Sequence, residues 1–181
     1  MFIRCKKRTT KSGKERVYAY IVENNYRKHG KTPKQKVKKY LGRVHFFEKT
    51  LKKEEIVNQD LLSQEGSFQE IITLLIEKEL QERGFIKKEN EYQRDQIAVN
   101  IITRQVYHKL TGKKVSLALN DGILANETLQ NLIDFKTPAA KEREMGKALG
   151  NAVVSAGITI NKGLFIKIFQ KVMRQINDNH R

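Results

Sequence analysis

The chain has 181 residues, 39% hydrophobic and 31% charged, with a formal net charge of +16. That is enough apolar material for a domain with an appendage or for two small units, and no apolar run reaches the roughly 18 residues of a membrane span. The single cysteine, Cys5, excludes a disulfide framework and a cysteine-based zinc site; the apolar run near the basic N-terminus is too short for a signal peptide, so the cytoplasm, nucleoid included, is the expected compartment.

The charge is unevenly spread. Residues 1–50 hold sixteen Lys or Arg and three Glu, a net of +13, whereas residues 51–100 carry a net of −4. A local excess of this kind suits a polyanionic partner, nucleic acid above all. Phe2 to Arg8 reads as a short strand, and Lys11-Ser12-Gly13-Lys14 as a turn. Arg16 to Glu23 is rich in β-branched and aromatic residues. Asn24-Asn25, His29-Gly30 and Thr32-Pro33 interrupt it before an extended pattern resumes over Lys34 to Val44, and the whole predicts an antiparallel meander.

Side chains alternate faces along a strand. One predicted face holds Ile3, Cys5, Val17, Ala19, Ile21, Val37 and Leu41, and suits a core. The other holds Arg4, Lys6, Arg8, Tyr18, Tyr20, Lys36, Lys38 and Tyr40. With Arg16, Lys34 and Arg43 these are the candidate nucleic-acid-binding residues. Lysine and arginine neutralise phosphates and release counterions, and tyrosines stack on bases or donate to phosphate oxygens. Arg4, Lys6, Arg8, Lys36 and Lys38 are the expected phosphate contacts. The competing reading makes the tyrosines cross-strand pairs and the lysines a solvated edge that discourages aggregation.

Met1-Phe2-Ile3-Arg4, Tyr18-Ala19-Tyr20-Ile21-Val22-Glu23-Asn24, Gly30, Lys34-Gln35-Lys36-Val37 and Tyr40-Leu41-Gly42-Arg43 resemble the N-terminal β segment of insertion-sequence transposases. The same residues are similar to the start of small archaeal proteins that lack a transposase core. The resemblance covers about residues 1–45 and implies contact with DNA. It does not extend to transfer chemistry, because the chain beyond it is shorter than those catalytic cores and shows no spaced acidic triad.

Residues 45–66 read as a junction, with His45-Phe46-Phe47 as an aromatic anchor. Ser67 to Arg83 is predicted as a helix, opened by the capping box Ser67-x-x-Glu70 and stopped by Gly84. Phe68, Ile71, Ile72, Leu75, Ile76 and Leu80 form its buried stripe, and its glutamates read as a solvated face. Gln93 to Leu110 fits a helix or strands. The abundance of Ile, Val and Thr favours strands, with Val106, His108 and Leu110 as hairpin partners of Val115, Leu117 and Leu119 across a Thr111-Gly112-Lys113-Lys114 loop. His108 reads as a strand-face residue.

Asp121 is the expected cap of a helix running through Phe135, and Thr137-Pro138 the start of another that reaches Gly157. In that helix Gly146 and Gly150 form part of a stripe of small residues that lets another element approach closely. Asn161 caps the last helix, where Leu164, Phe165, Ile168, Phe169, Val172, Met173 and Ile176 form an apolar stripe suited to a core or a homodimer, and Lys162, Lys167, Lys171 and Arg174 form a basic outer face.

These elements predict an α+β protein. Residues 1–48 would form a three-stranded antiparallel basic sheet, 49–66 a junction, and 67–181 a mixed unit with a small hairpin or sheet and helices near 67–83, 122–135, 138–156 and 162–177. No catalytic residue, metal ligand or cofactor site is expected. Asp95, Asp121, Glu127 and Asp134 are the only candidates for a two-metal nuclease centre, which needs carboxylates that converge. The expected function is non-enzymatic binding of DNA through its phosphates. An RNA- or ribosome-associated factor and a nuclease- or recombinase-related protein are the alternatives, and no membrane partner is expected.

Overall fold

The computed structural model describes residues 1–25, 34–50, 66–136 and 141–174, and residues 175–178 at the level of the backbone. It is α+β, with two sheets and four helices among the described residues. Strands β1 (Phe2–Thr9), β2 (Glu15–Asn25) and β3 (Lys34–Phe46) are antiparallel, as the turn chemistry predicts. The expected turn at His29-Gly30 and Thr32-Pro33 lies outside the described residues.

The meander does not stand alone. Strand β8 (Val115–Leu119) pairs in parallel with the end of β3, Arg43 opposite Val115 through Phe46 opposite Ala118, and β9 (Gly122–Leu124) closes a mixed sheet of order β1-β2-β3-β8-β9. The close approach of β8 requires Gly42. Its φ is +123°, and a Cβ there would lie 2.7 Å from the Cα of Val115. The second sheet is antiparallel, in the order β4 (Ile86–Lys88), β5 (Glu91–Arg94), β6 (Ile97–Asn100) and β7 (Gln105–His108). Residues 93–110 are therefore strands and turns. The hairpin partner differs from the expected one: β7 pairs with β6, and an isolated Tyr107–Lys114 bridge links it to the residue before β8. β8 is occupied on both edges by β3 and β9.

Helix α1 (Phe68–Glu82) carries both halves of its capping box. The Ser67 hydroxyl accepts from Glu70 N–H, and the Glu70 carboxylate accepts from Ser67 N–H at 2.6 Å. The bond from Ser67 N–H, with the Ser67 side chain adding to it, holds the Glu70 carboxyl below the usual carboxylate range. All six residues of its predicted stripe are buried. Glu79, read as solvated, is buried too. It pairs with Arg83 one turn on, and Asn120 Nδ2 donates to its Oε1 at 3.2 Å while also bonding Gly157 O at 2.7 Å. Lys49 Nζ reaches Glu82 at 2.6 Å, and Thr50 N–H donates to Glu82 O at 2.8 Å, tying the chain beyond β3 to the end of α1.

The helix expected from Asp121 begins later. Residues 122–124 are taken into the sheet as β9, so α2 covers Asn126–Ile133, and Asp121 sits in the β8–β9 turn rather than capping a helix. The Thr128 hydroxyl accepts from Ala125 N–H at 2.9 Å instead. Helix α3 spans Glu142–Ser155, and the predicted Thr137-Pro138 start lies outside the described residues. Its Gly146 and Gly150 face the Phe169 and Phe165 rings of α4 (Lys162–Asp178), as the small-residue stripe anticipates. Leu164 N–H donates to the Asn161 side chain at 2.8 Å, so Asn161 caps α4. Leu164, Ile168 and Val172 are buried in the chain's own core.

A candidate nucleic-acid interface

The registers of β1, β2 and β3 decide which candidate residues meet. Arg4 lies opposite Tyr20, Lys6 opposite Tyr18, and Arg8 opposite Arg16. Across β2, Tyr18 lies opposite Arg43 and Tyr20 opposite Tyr40. Eight of the eleven candidates therefore share one face: Arg4, Lys6, Arg8, Arg16, Tyr18, Tyr20, Tyr40 and Arg43. No Asp or Glu registers onto it among the described residues.

Lys34, Lys36 and Lys38 do not join them. The pairing of β2 with β3 slips at two places, leaving Leu41 and Lys38 as extra residues on β3. Each bulge reverses the alternation that the sequence implies. Lys36 pairs with Glu23 and Lys34 with Asn25, both on the other face, and Lys38 Nζ stands 2.7 Å from Glu23. That hydrogen-bonded ammonium holds the Glu23 carboxyl below its usual range. Lys39 also lies on that side, 3.1 Å from Glu127 of α2.

The apolar face packs as predicted for Ile3, Val17, Ala19, Ile21 and Leu41, which meet Val44, Ile123 and Ala125 in a core of their own. Cys5 and Val37 depart from it. Cys5 is an exposed free thiol, and the bulge at Lys38 turns Val37 out to 46% exposure.

The tyrosines form a connected cluster. The Tyr20 and Tyr40 ring centroids are 5.4 Å apart, and those of Tyr18 and Tyr40 6.3 Å. Lys6 Nζ lies 5.7 Å from the Tyr20 ring and the Arg8 guanidinium 6.0 Å from that of Tyr18. Burial pushes the Tyr40 hydroxyl above its usual range, and Tyr20 and Tyr18 push it the same way. It is thus a neutral hydrogen-bond donor at physiological pH. The cross-strand pairing of these tyrosines is present, and two of the rings also lie beside cations of the same face.

At the β3 edge of this face a cleft of about 540 Å³ opens against the loop between β7 and β8. Arg16, Tyr18, Tyr40 and Arg43 line one side, and His108, Lys113 and Lys114 the other. Sequence reasoning read Lys113 and Lys114 only as hairpin residues and His108 only as a strand-face histidine. The signal available was a second basic doublet in a tight turn, and its place beside Arg43 comes from the β3–β8 pairing alone.

The carboxylates considered for a metal centre are scattered. Asp134 binds Arg104 at 2.6 Å, Glu127 binds Lys39 and Lys114, and Asp95 sits at φ +51° in the β5–β6 turn. Glu127 is only 15% exposed at its side chain, beside Lys39 of β3. Among the described residues, no three His, Cys, Asp or Glu side chains come together as a metal site, and no helix is long and apolar enough to cross a membrane.

No curated protein matches this chain, and no solved structure does. A family model does match, over residues 3–83, somewhat under half of the sequence. That segment runs from β1 through α1, beyond the 45 residues of the resemblance seen in the sequence, and carries the whole Arg–Tyr face. It is similar to the N-terminal domain of IS1634 family transposases.

Proposed function

We propose that this protein binds DNA, without catalysing a reaction on it, by laying the Arg4–Lys6–Arg8–Arg16–Arg43 face along the phosphate backbone. The observation that carries this reading is the direct opposition of Arg8 and Arg16 on a face with no registered carboxylate. Like charges directly opposite across a sheet destabilise it, and an apposed row of phosphates converts that repulsion into binding energy. The likeness of residues 3–83 to a transposase N-terminal domain supports DNA as the polyanion.

The tyrosine cluster serves the same surface. Its hydroxyls donate to phosphate oxygens, and its edges fill the space between cations. Phosphate contacts position a protein without reading sequence, so recognition by this face is general.

Competition binding with the full chain tests the reading. A labelled duplex should be displaced by unlabelled duplex DNA of unrelated sequence with similar potency, and less well by folded RNA of equal charge. Preferential displacement by the RNA would instead establish an RNA-associated factor. Metal-dependent cleavage of the duplex, lost in Asp121→Ala, would establish a nuclease.

A further inference from the structure

We propose that the cleft between β3 and the β7–β8 loop seats one unpaired nucleotide of the bound DNA, its phosphate among Arg16, Arg43 and Lys113 and its base against Tyr40. This rests on the DNA-binding reading and adds a site to it. The cleft volume, about 540 Å³, falls within the roughly 300–1,000 Å³ common to small-ligand sites. A base pair with its two backbones spans a duplex and cannot enter such a space. A single nucleotide can.

Three features favour a nucleoside phosphate over a bare anion. First, the lining is cationic without being neutralised from within. Arg16, Arg43 and Lys113 have no carboxylate partner among the described residues, and the lining holds no Asp or Glu. The fourth cation, Lys114, is held at the edge of β3: its ammonium donates to Tyr40 O, lies 3.5 Å from Glu127, and stands 5.6 Å from the Tyr40 ring.

Second, the wall beside those cations is aromatic. Tyr40 is 40% exposed and lines the cleft together with Arg16 and Arg43. Aromatic rings next to cations are the usual platform for unpaired bases.

Third, a residue that lines the cleft carries an unsatisfied polar atom. Nδ1 of His108 is shut away from solvent and has no hydrogen-bond partner among the described residues. The backbone around it is fixed: His108 N–H donates to Lys113 O at 2.9 Å, and Gly112 N–H donates to His108 O at 2.8 Å. A buried nitrogen without a partner is costly, so a shift of the His108 ring toward a bound ligand would be favourable. His45, from β3, also lines the cleft. Burial depresses its basicity, with Arg43 and His108 adding to the effect, so at neutral pH it offers a neutral imidazole for hydrogen bonding rather than another fixed charge.

The test is an NMR titration of the isotope-labelled full chain with deoxyadenosine monophosphate, inorganic phosphate and deoxyadenosine in parallel. The monophosphate should shift the backbone amides of His108, Lys113 and Lys114. It should bind about fivefold or more tightly than inorganic phosphate, the increment expected of one stacked base. Lys113→Glu, on an exposed loop where the fold tolerates it, should weaken that binding roughly tenfold or more. His108→Ala should weaken it as well. Arg4→Ala, on β1 opposite Tyr20 and outside the cleft lining, should leave it unchanged while weakening duplex binding. Equal affinity for phosphate and nucleotide would overturn the assignment of a base site, and absence of shifts at the three amides would overturn the cleft altogether. Either failure with duplex binding intact leaves the wider reading standing. Absence of duplex binding by the wild type with the titration positive would sink the wider reading and leave the cleft as a site for free nucleotide only.

Discussion

Replacing Arg8 and Arg16 together by alanine removes two of the five cations on the tyrosine-bearing face, and the consequence is calculable. If Arg4, Lys6, Arg8, Arg16 and Arg43 each neutralise one phosphate, the log–log slope of duplex affinity against salt is about −4.5, at roughly −0.9 per phosphate. Raising salt fourfold then weakens the wild type about 500-fold. The double variant keeps three contacts, a slope of about −2.7 and a loss of about 40-fold over the same range. Lys36→Ala with Lys38→Ala deletes the same charge from the same fifty residues, but from the opposite face, where Lys36 pairs with Glu23 and Lys38 bonds it. That variant should keep a slope within about half a unit of wild type. Fluorescence anisotropy with one duplex at several salt concentrations gives all three slopes. A flattening by the Lys36/Lys38 variant equal to that of the Arg8/Arg16 variant would show that total charge, and not the face set by the bulges, governs binding. A further signature comes from stability: removing the Arg8–Arg16 opposition should raise the unfolding free energy slightly, by up to about 1 kcal/mol, while binding falls.

The fold makes its own predictions. Gly42→Ala places a Cβ 2.7 Å from the Cα of Val115 at a φ of +123°, and should cost about 2 kcal/mol or more in denaturant unfolding. Glu79→Ala leaves the Arg83 guanidinium buried and stripped of its carboxylate, an expected loss of about 3–5 kcal/mol by the same assay. Ser67→Ala removes one half of the α1 capping box and should lower stability by about 1 kcal/mol. His45 is held neutral by burial, so the unfolded chain binds the proton more readily. Stability should therefore fall as pH drops below the ordinary histidine range, and the loss should be complete below the depressed folded value. His45→Gln should flatten denaturation midpoints measured across that interval.

Local chemistry made several elements legible in the sequence. The α1 helix was readable because Ser67, Glu70 and the stripe from Phe68 to Leu80 lie within a few turns of one another. Asn161 was readable as a cap, and the Gly146/Gly150 stripe as a contact surface, for the same reason. The face shared by Arg4, Lys6, Arg8, Tyr18 and Tyr20 was readable because β1 and β2 pair without a slip, so period two holds from end to end. The insertion-sequence resemblance drew on that same stretch.

Where β3 is concerned, tertiary structure decided. Its thirteen residues serve β2 along one edge and β8 along the other, and the two bulges that reconcile those pairings carry Lys36 and Lys38 away from Tyr40. A bulge is a property of two strands in register, and period two in one strand cannot reveal it. The same holds for Glu79, solvated by helical periodicity until Asn120 closes over it from a turn 41 residues away. It holds also for the cleft, whose two walls are separated by more than sixty residues and meet because β8, in parallel pairing, presses its first residues against Gly42. Sequence fixes what a residue can do within the reach of its own element. Which of those abilities are brought within a few ångströms of one another is settled by strand register and close packing.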